Sequence, residues 1–242
     1  ASTGRNYFYD GMDGEFVYAG FLIKFSIDEK KVNPKYIKYF CQSKQYKDWI
    51  NSFNTGSTRG NINAQTLGKM PIPLIERTAQ DALVSILSSI DEKIKKNNEI
   101  NNNLEQQAKA IYQQIFIDNA RSDWAEGTLS DIADITMGQS PSGSSYNEDG
   151  TGTIFFQGRA EFGFRFPSVR LYTTEPKRMA RSNDTLMSVR APVGDLNVAY
   201  TDCCIGRGLA AIHSKSNHQS FVLYTMFSLK KQLDVFNGEG TV

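Results

Sequence analysis

The sequence predicts α/β (α+β) domains joined by a long coiled-coil-type helix. Three observations carry the prediction. An unbroken heptad pattern occupies the middle of the chain. An aromatic, β-branched stretch followed by a capped amphipathic helix precedes it. A series of short strand-like segments separated by turn residues follows it.

The heptad comes first because the rest is arranged about it. Leu83, Leu87, Ile90, Ile94, Asn97, Asn101, Leu104, Ala108, Ile111 and Ile115 are spaced alternately by four and three residues, which is the seam of a coiled coil. No Pro or Gly interrupts residues 78–117. At the rise of an α-helix, some 40 residues give a rod of about 60 Å. Such a rod sits poorly inside one globular core. The favoured reading is a helix–helix docking device between domains or subunits, over a helix packed along its own domain. Asn97 and Asn101 are polar seam positions, which cost stability but fix register and partner.

In chain order, residues 1–14 are rich in turn formers, and residues 15–26 (EFVYAGFLIKFS) read as a strand with Gly20 a possible site for a bulge. Asn33-Pro34 opens a helix predicted to reach Phe53, Asn as cap and Pro in the first turn. A polar loop follows (54–63, NTGSTRGNIN), then the extended Met70-Pro71-Ile72-Pro73-Leu74, where two prolines forbid helix. Beyond the rod, a short element is expected at 129–136 and strands at 153–157, 169–173, 185–190, 196–200 and 208–213, with a last helix over 218–236. The chain thus divides into 1–75, the helix at 76–120, and 126–242. Head and tail share a weak repeat: Tyr36, Tyr39, Ser43 and Phe53 match Phe221, Tyr224, Ser228 and Phe236, and residues 20–25 match 208–213.

A net charge of +1 excludes a polycation that coats nucleic acid by bulk electrostatics, but permits local basic surfaces. The three cysteines, Cys41, Cys203 and Cys204, form no CxxC pair, and His213 and His218 form no ligand motif. Neither a disulfide scaffold nor a zinc site is expected, and a reducing cytoplasm suits the composition. No apolar run is long enough to span a membrane.

No motif points to catalysis. Asn33-Pro34-Lys35-Tyr36 nearly matches the Asn-Pro-Pro-Tyr of adenine aminomethyltransferases, but a helix follows at once and the helix-cap reading prevails. Gly206-Arg207-Gly208 lacks the following helix that would cradle a phosphate. What stands out is a set of polar, glycine-containing loops. Arg190, Arg207, Arg159 and Arg59 are the primary candidates for DNA contact, with Gln139, Ser140, Gln157, Ser57, Thr58 and Asn61 secondary. Arg pairs with guanine edges and Gln or Asn with adenine edges, while Ser and Thr serve phosphates. Structural arginines on solvated loops are the competing reading for any single residue.

Several segments, taken together and in order, resemble the specificity subunit of type I restriction–modification systems. They are Gly56-Ser57-Thr58-Arg59, Pro71-Ile72-Pro73-Leu74 running into the long helix, Thr136-Met137-Gly138-Gln139-Ser140-Pro141, residues 186–194 (LMSVRAPVG) and Ile205-Gly206-Arg207-Gly208. The resemblance implies target recognition domains, each followed by a conserved spacer helix, the two helices pairing antiparallel. Each domain would read one half of a bipartite site in double-stranded DNA, without catalysis or a cofactor of its own. Modification subunits, which bind S-adenosylmethionine, would dock at the helix region, and restriction subunits would join the complex. Against that pattern, residues 1–75 correspond to the end of a first recognition domain and 126–242 to the early and middle part of a second. Self-association through the long helix, as a swapped dimer, is therefore an expectation. The alternatives are a coiled-coil assembly protein that binds proteins, and the recognition region of a fused restriction–methylation enzyme.

Overall fold

The structure, a computed structural model, describes residues 3–53, 62–233 and 235. The chain divides into two compact units, Ala1–Asn101 and Asn102–Val242. The division falls inside the long helix.

In the first unit, α1 (Pro34–Phe40), α2 (Lys44–Asn51) and α3 (Ala64–Leu67) precede the long helix α4 (Arg77–Tyr112). The Asn33 side chain accepts the Lys35 N–H at 2.9 Å and Pro34 begins α1, so Asn33-Pro34 is a helix cap. The single helix expected to reach Phe53 is two. It breaks after Phe40, and Ser43 caps the second piece by accepting the Tyr46 N–H at 3.2 Å. This local hydroxyl–backbone bond competes with helix continuation. Ile37, Phe40, Cys41, Tyr46 and Ile50 form the core, with Ile62, Met70 and Ile72 packed against it. The Tyr36 hydroxyl donates to the Pro73 carbonyl at 2.7 Å, tying down the extended proline segment.

The strand expected at 15–26 is absent. Val17 and Phe21 are fully exposed, and Phe16, Tyr18 and Leu22 are more than half exposed. The side-chain pattern is that of a strand, but no strand among the described residues pairs with it, and an extended backbone without a ladder is not a strand.

The first turns of α4 dock on α1 by a face that adjoins the seam, with Leu83 and Leu87 at its border. Gln80 and Val84 are buried. Gln80 accepts the Asn33 N–H at 2.9 Å and donates to the Ile75 carbonyl at 2.8 Å. Tyr39 bonds Ser88 and Asp91, and Lys38 donates to Asp91 at 2.7 Å. The Asp91 bond raises the Lys38 pKa, and Lys38 in turn holds the Asp91 carboxyl below its ordinary value. Of the seam, Leu83, Leu87, Ile90, Ile94, Leu104, Ile111 and Ile115 are 36–57% exposed. Asn97 and Asn101 are exposed and Ala108 is half-buried.

In the second unit α4 continues directly into a π-helical end, Gln113–Asp118. Then come α5 (Leu129–Ile132), β1 (Ala133–Met137), β2 (Tyr146–Asn147), β3 (Thr153–Phe156), β4 (Leu171–Thr173), β5 (Met179–Ala180), β6 (Thr185–Ser188), β7 (Leu196–Val198), β8 (Cys203–Ile205), β9 (Leu209–Ser214) and α6 (Gln219–Leu233). They form a four-stranded sheet, β1-β9-β6-β7, and a five-stranded sheet, β2-β4-β3-β8-β5. Every pairing is antiparallel except β3 with β8. Phe156, Leu186, Ile205 and Leu209 fill the space between the sheets. Full burial of such a side chain stabilises the fold by about 1.5–3 kcal/mol. The strands missed in the sequence, β2, β5 and β8, are two or three residues long; β4 and β7 are equally short, but flanking residues extend their pattern to the five-residue stretches expected at 169–173 and 196–200.

The other face of the four-stranded sheet is covered by α6 through Val222 and Met226. The last turns of α4 pack on α6: Tyr112 and Phe116 lie 5.8 and 4.9 Å from Phe221, the Tyr112 and Thr225 hydroxyls are 2.9 Å apart, and the Lys109 ammonium sits 4.1 Å over the Phe227 ring. In the head–tail repeat only the tail copy has its strand: β9 precedes α6, whereas residues 20–25 precede α1 unpaired.

Candidate nucleic-acid interface

Four loops of the second unit leave strand ends that the sheet topology brings together. Because β3 and β8 run parallel, residues 157–159 and 206–208 emerge side by side. Because β1 and β6 both run antiparallel to β9, residues 138–141 and 189–195 emerge where β9 begins. The link 206–208 passes from β8 in one sheet to β9 in the other, so it touches all three remaining loops.

Backbone contacts hold the cluster. Gly138 N–H donates to the Leu209 carbonyl at 2.9 Å, Gln139 N–H to Ile205 at 3.0 Å, Gly206 N–H to Phe156 at 2.8 Å and Val189 N–H to Gly208 at 3.0 Å. The Arg207 N–H donates to the Ser140 hydroxyl at 3.3 Å. A Cβ on Gly138 would sit 2.1 Å from the Gly206 carbonyl oxygen, and one on Gly206 would sit 2.8 Å from that of Gln157. These glycines are required for close backbone approach.

On this frame the candidates meet. Gln139, Gln157, Arg159, Arg190 and Arg207 are exposed, and Ser140 is half-buried. The side chains of Gln139, Gln157, Arg190 and Arg207 make no hydrogen bond or ion pair among the described residues. Arg59, Ser57, Thr58 and Asn61 lie outside the described residues. The ten seam residues all lie on α4 and its π-helical end, apart from this cluster in sequence.

Arg159 differs from Arg190 and Arg207. Its Nε donates to Asp195, whose other oxygen accepts from Lys230 of α6 at 2.6 Å. Burial works against the Asp195 charge, but the bonds from Lys230 and Arg159 outweigh it and hold the carboxyl below its ordinary range. The Asp195 loop is fixed further: the Ser188 N–H donates to the Asp195 carbonyl at 2.9 Å, the Asp195 N–H donates to the Ser188 hydroxyl at 3.0 Å, that hydroxyl donates to the Pro192 carbonyl, and Gly194 (φ +87°) packs on Leu233. Asp195 and Lys230 were not legible as site residues. The one hint was the Pro192–Asp195 turn, and Lys230 reaches the loop only through the fold.

Among the described residues no group of acidic, His and Cys side chains could hold a metal ion. No described helix is long and apolar enough to cross a membrane. Cys203 and Cys204 are fully buried, and burial pushes the Cys203 thiol up to about 12.

Comparison with known proteins bears on this arrangement. Residues 1–106 match the type I restriction modification DNA specificity domain. The chain is 32% identical, over a 256-residue alignment, to a Methanocaldococcus jannaschii protein assigned as the specificity subunit of the type I restriction enzyme MjaX. That alignment covers 97% of this chain and 60% of the relative. A crystal structure of the type I restriction–modification S subunit from M. genitalium shares the fold, with a TM-score of 0.55 at 17% identity over 88% of this chain and 58% of that one. The HsdS subunit from Thermoanaerobacter tengcongensis aligns at 28% identity and a TM-score of 0.48, over 87% of this chain and 56% of that one. The chain thus spans less than two thirds of the length of these relatives. The loop cluster lies beyond residue 106, inside the stretch shared with the archaeal relative. On these matches residues 1–106 carry the type I restriction modification DNA specificity domain, and the chain, a mixed α/β domain with two sheets and a long helix, is similar over most of its length to the specificity (S) subunits of type I restriction–modification systems.

Proposed function

We propose that the chain reads DNA sequence as part of a non-catalytic specificity subunit that recruits modification subunits, with S-adenosylmethionine bound on those partners alone. The observation that carries the reading is the loop cluster. Exposed Arg190, Arg207, Arg159, Gln139 and Gln157 converge at one end of a two-sheet core, on loops whose glycines let their backbones pack closely against one another. That chemistry suits base edges and phosphates in double-stranded DNA. Arg59, Ser57, Thr58 and Asn61 would serve a second recognition domain in the same way.

The exposed α4 seam, Leu83 to Ile115, supports docking of a second helix and, beside it, of modification subunits. Restriction subunits would enter through that complex. The same seam is the observation that favours the second reading, an assembly protein whose end domains bind protein.

Selection from a random duplex pool tests the reading, using the chain with a modification subunit at near-physiological salt. Two short enriched blocks at a fixed gap are expected. Folded protein with no DNA binding at any salt concentration would leave the assembly reading.

A further inference from the structure

Arg159 and Asp195 are bound to one another in a way that Arg190 and Arg207 are not bound to anything among the described residues. A guanidinium offers two donor edges, Nε with one Nη, and the two Nη groups together. In Arg159 the Nε is committed to Asp195, and the terminal amino groups donate no hydrogen bond among the described residues. The Arg159 side chain is 54% exposed, and the Asp195 side chain only 20%. The carboxylate is therefore a fixed, recessed anchor with the guanidinium projecting from it. Asp195 is itself immobilised by Lys230, by Ser188 and by the packing of Gly194 on α6.

Electrostatics distinguishes two uses for such an arginine. A phosphate contact needs charge and tolerates loose orientation. Here two cations share one carboxylate, so the triad carries the net charge of a single cation, no more than the unpaired Arg190 or Arg207 carries alone, and the second cation gives Arg159 no advantage at a phosphate. A base edge needs orientation. A fork held in place loses little side-chain freedom when it binds, and the exposed Nη pair matches the two acceptors, O6 and N7, of guanine in the major groove.

We infer that Arg159 reads one guanine end-on through its two Nη groups, and that Asp195 is the positioning residue that holds the fork at the required angle. The inference rests on the DNA-reading function proposed above. It assigns one element of the recognition site to one residue pair, and gives the carboxylate a role in specificity rather than in overall affinity.

The experiment is the same duplex selection, with salt-dependent affinities, on the chain with its modification subunit as wild type, Asp195→Asn, Arg159→Lys and the double variant. Arg159→Lys keeps the charge and removes the fork. Wild type is expected to require guanine at one position. Asp195→Asn and Arg159→Lys should each flatten the preference at that same position by about tenfold, the value of one bidentate pair, and Arg159→Lys, which conserves the charge, should leave the salt slope unchanged. In the Arg159→Lys background, Asp195→Asn should add nothing at that position. Arg159→Lys retains the Asp195 ion pair and tests the fork even where Asp195→Asn fails to fold. Weakening of all sequences alike with the preference intact, an altered preference elsewhere, or an additive double variant would overturn the inference while leaving DNA reading in place. A phosphate contact would appear as an unaltered base profile in Arg159→Lys. A folded wild type that binds no DNA at any salt would overturn the DNA reading, and the inference with it.

Discussion

Gly138 and Gly206 meet backbone to backbone: a Cβ on Gly138 would lie 2.1 Å from the Gly206 carbonyl oxygen. This contact closes the loop after β1 onto the link between the two sheets. Gly138→Ala is expected to destabilise the second unit by about 1–3 kcal/mol, the usual range for forced overpacking, and to weaken DNA binding by displacing Gln139 and Ser140. Urea unfolding checks the first and a binding titration the second. A variant with wild-type stability would mean the two loops part at no cost.

Gln80 is the second expected weak point. It is 1% exposed and satisfies both the Asn33 N–H and the Ile75 carbonyl. Gln80→Leu keeps the bulk and leaves both groups unpaired, which costs about 1–3 kcal/mol for each that water cannot reach. A denaturant midpoint equal to wild type would show that solvent replaces both bonds.

Arg190→Ala and Arg207→Ala separate base reading from phosphate contact. A lost base contact relaxes one position of the selected site by about 1–3 kcal/mol. A lost phosphate contact weakens all sequences alike and reduces the salt slope by about one. If neither variant changes affinity, specificity or slope, these arginines do not touch DNA.

The Asp195 triad makes stability pH-dependent. Its carboxyl is held below the ordinary value in the folded chain, the bonds from Lys230 and Arg159 outweighing burial. A group with a lowered folded-state pKa contributes stability above its unfolded-state value and loses it as pH falls through the folded one. The melting temperature of Asp195→Asn should therefore lie below wild type near neutrality, and the gap should close in strong acid. A gap that persists unchanged into acid would remove the ionised carboxylate as its source.

Cys203 is fully buried, and its thiol pKa is about 12, so hardly any thiolate exists near neutrality. Alkylation of Cys203 in the native chain is expected to proceed only as fast as unfolding. Rapid labelling at mild pH without denaturant would contradict its placement in β8.

Much of the molecule was legible in one dimension, because helices are governed by local rules. The heptad from Leu83 to Ile115, the Asn33-Pro34 cap and the last helix are all carried by neighbours a few residues apart, and the structure places them within a few residues of expectation. Strands β3, β6 and β9 were legible from their side-chain pattern and flanking turn residues, and the glycine and arginine loops could be picked out by composition.

Pairing decided the rest. Residues 15–26 have the side chains of a strand and no ladder partner among the described residues, while Cys203–Ile205 is a three-residue strand because β3 and β5 lie on either side of it. A strand is a property of two segments, and hydrogen bonds across the sheet are non-local. The site follows the same logic. Arg159, Asp195 and Lys230 lie 36 and 35 residues apart along the chain and share one carboxylate. Residue types nominated the arginines, but only the tertiary fold set one of them on an anchored carboxylate and left two without a partner among the described residues.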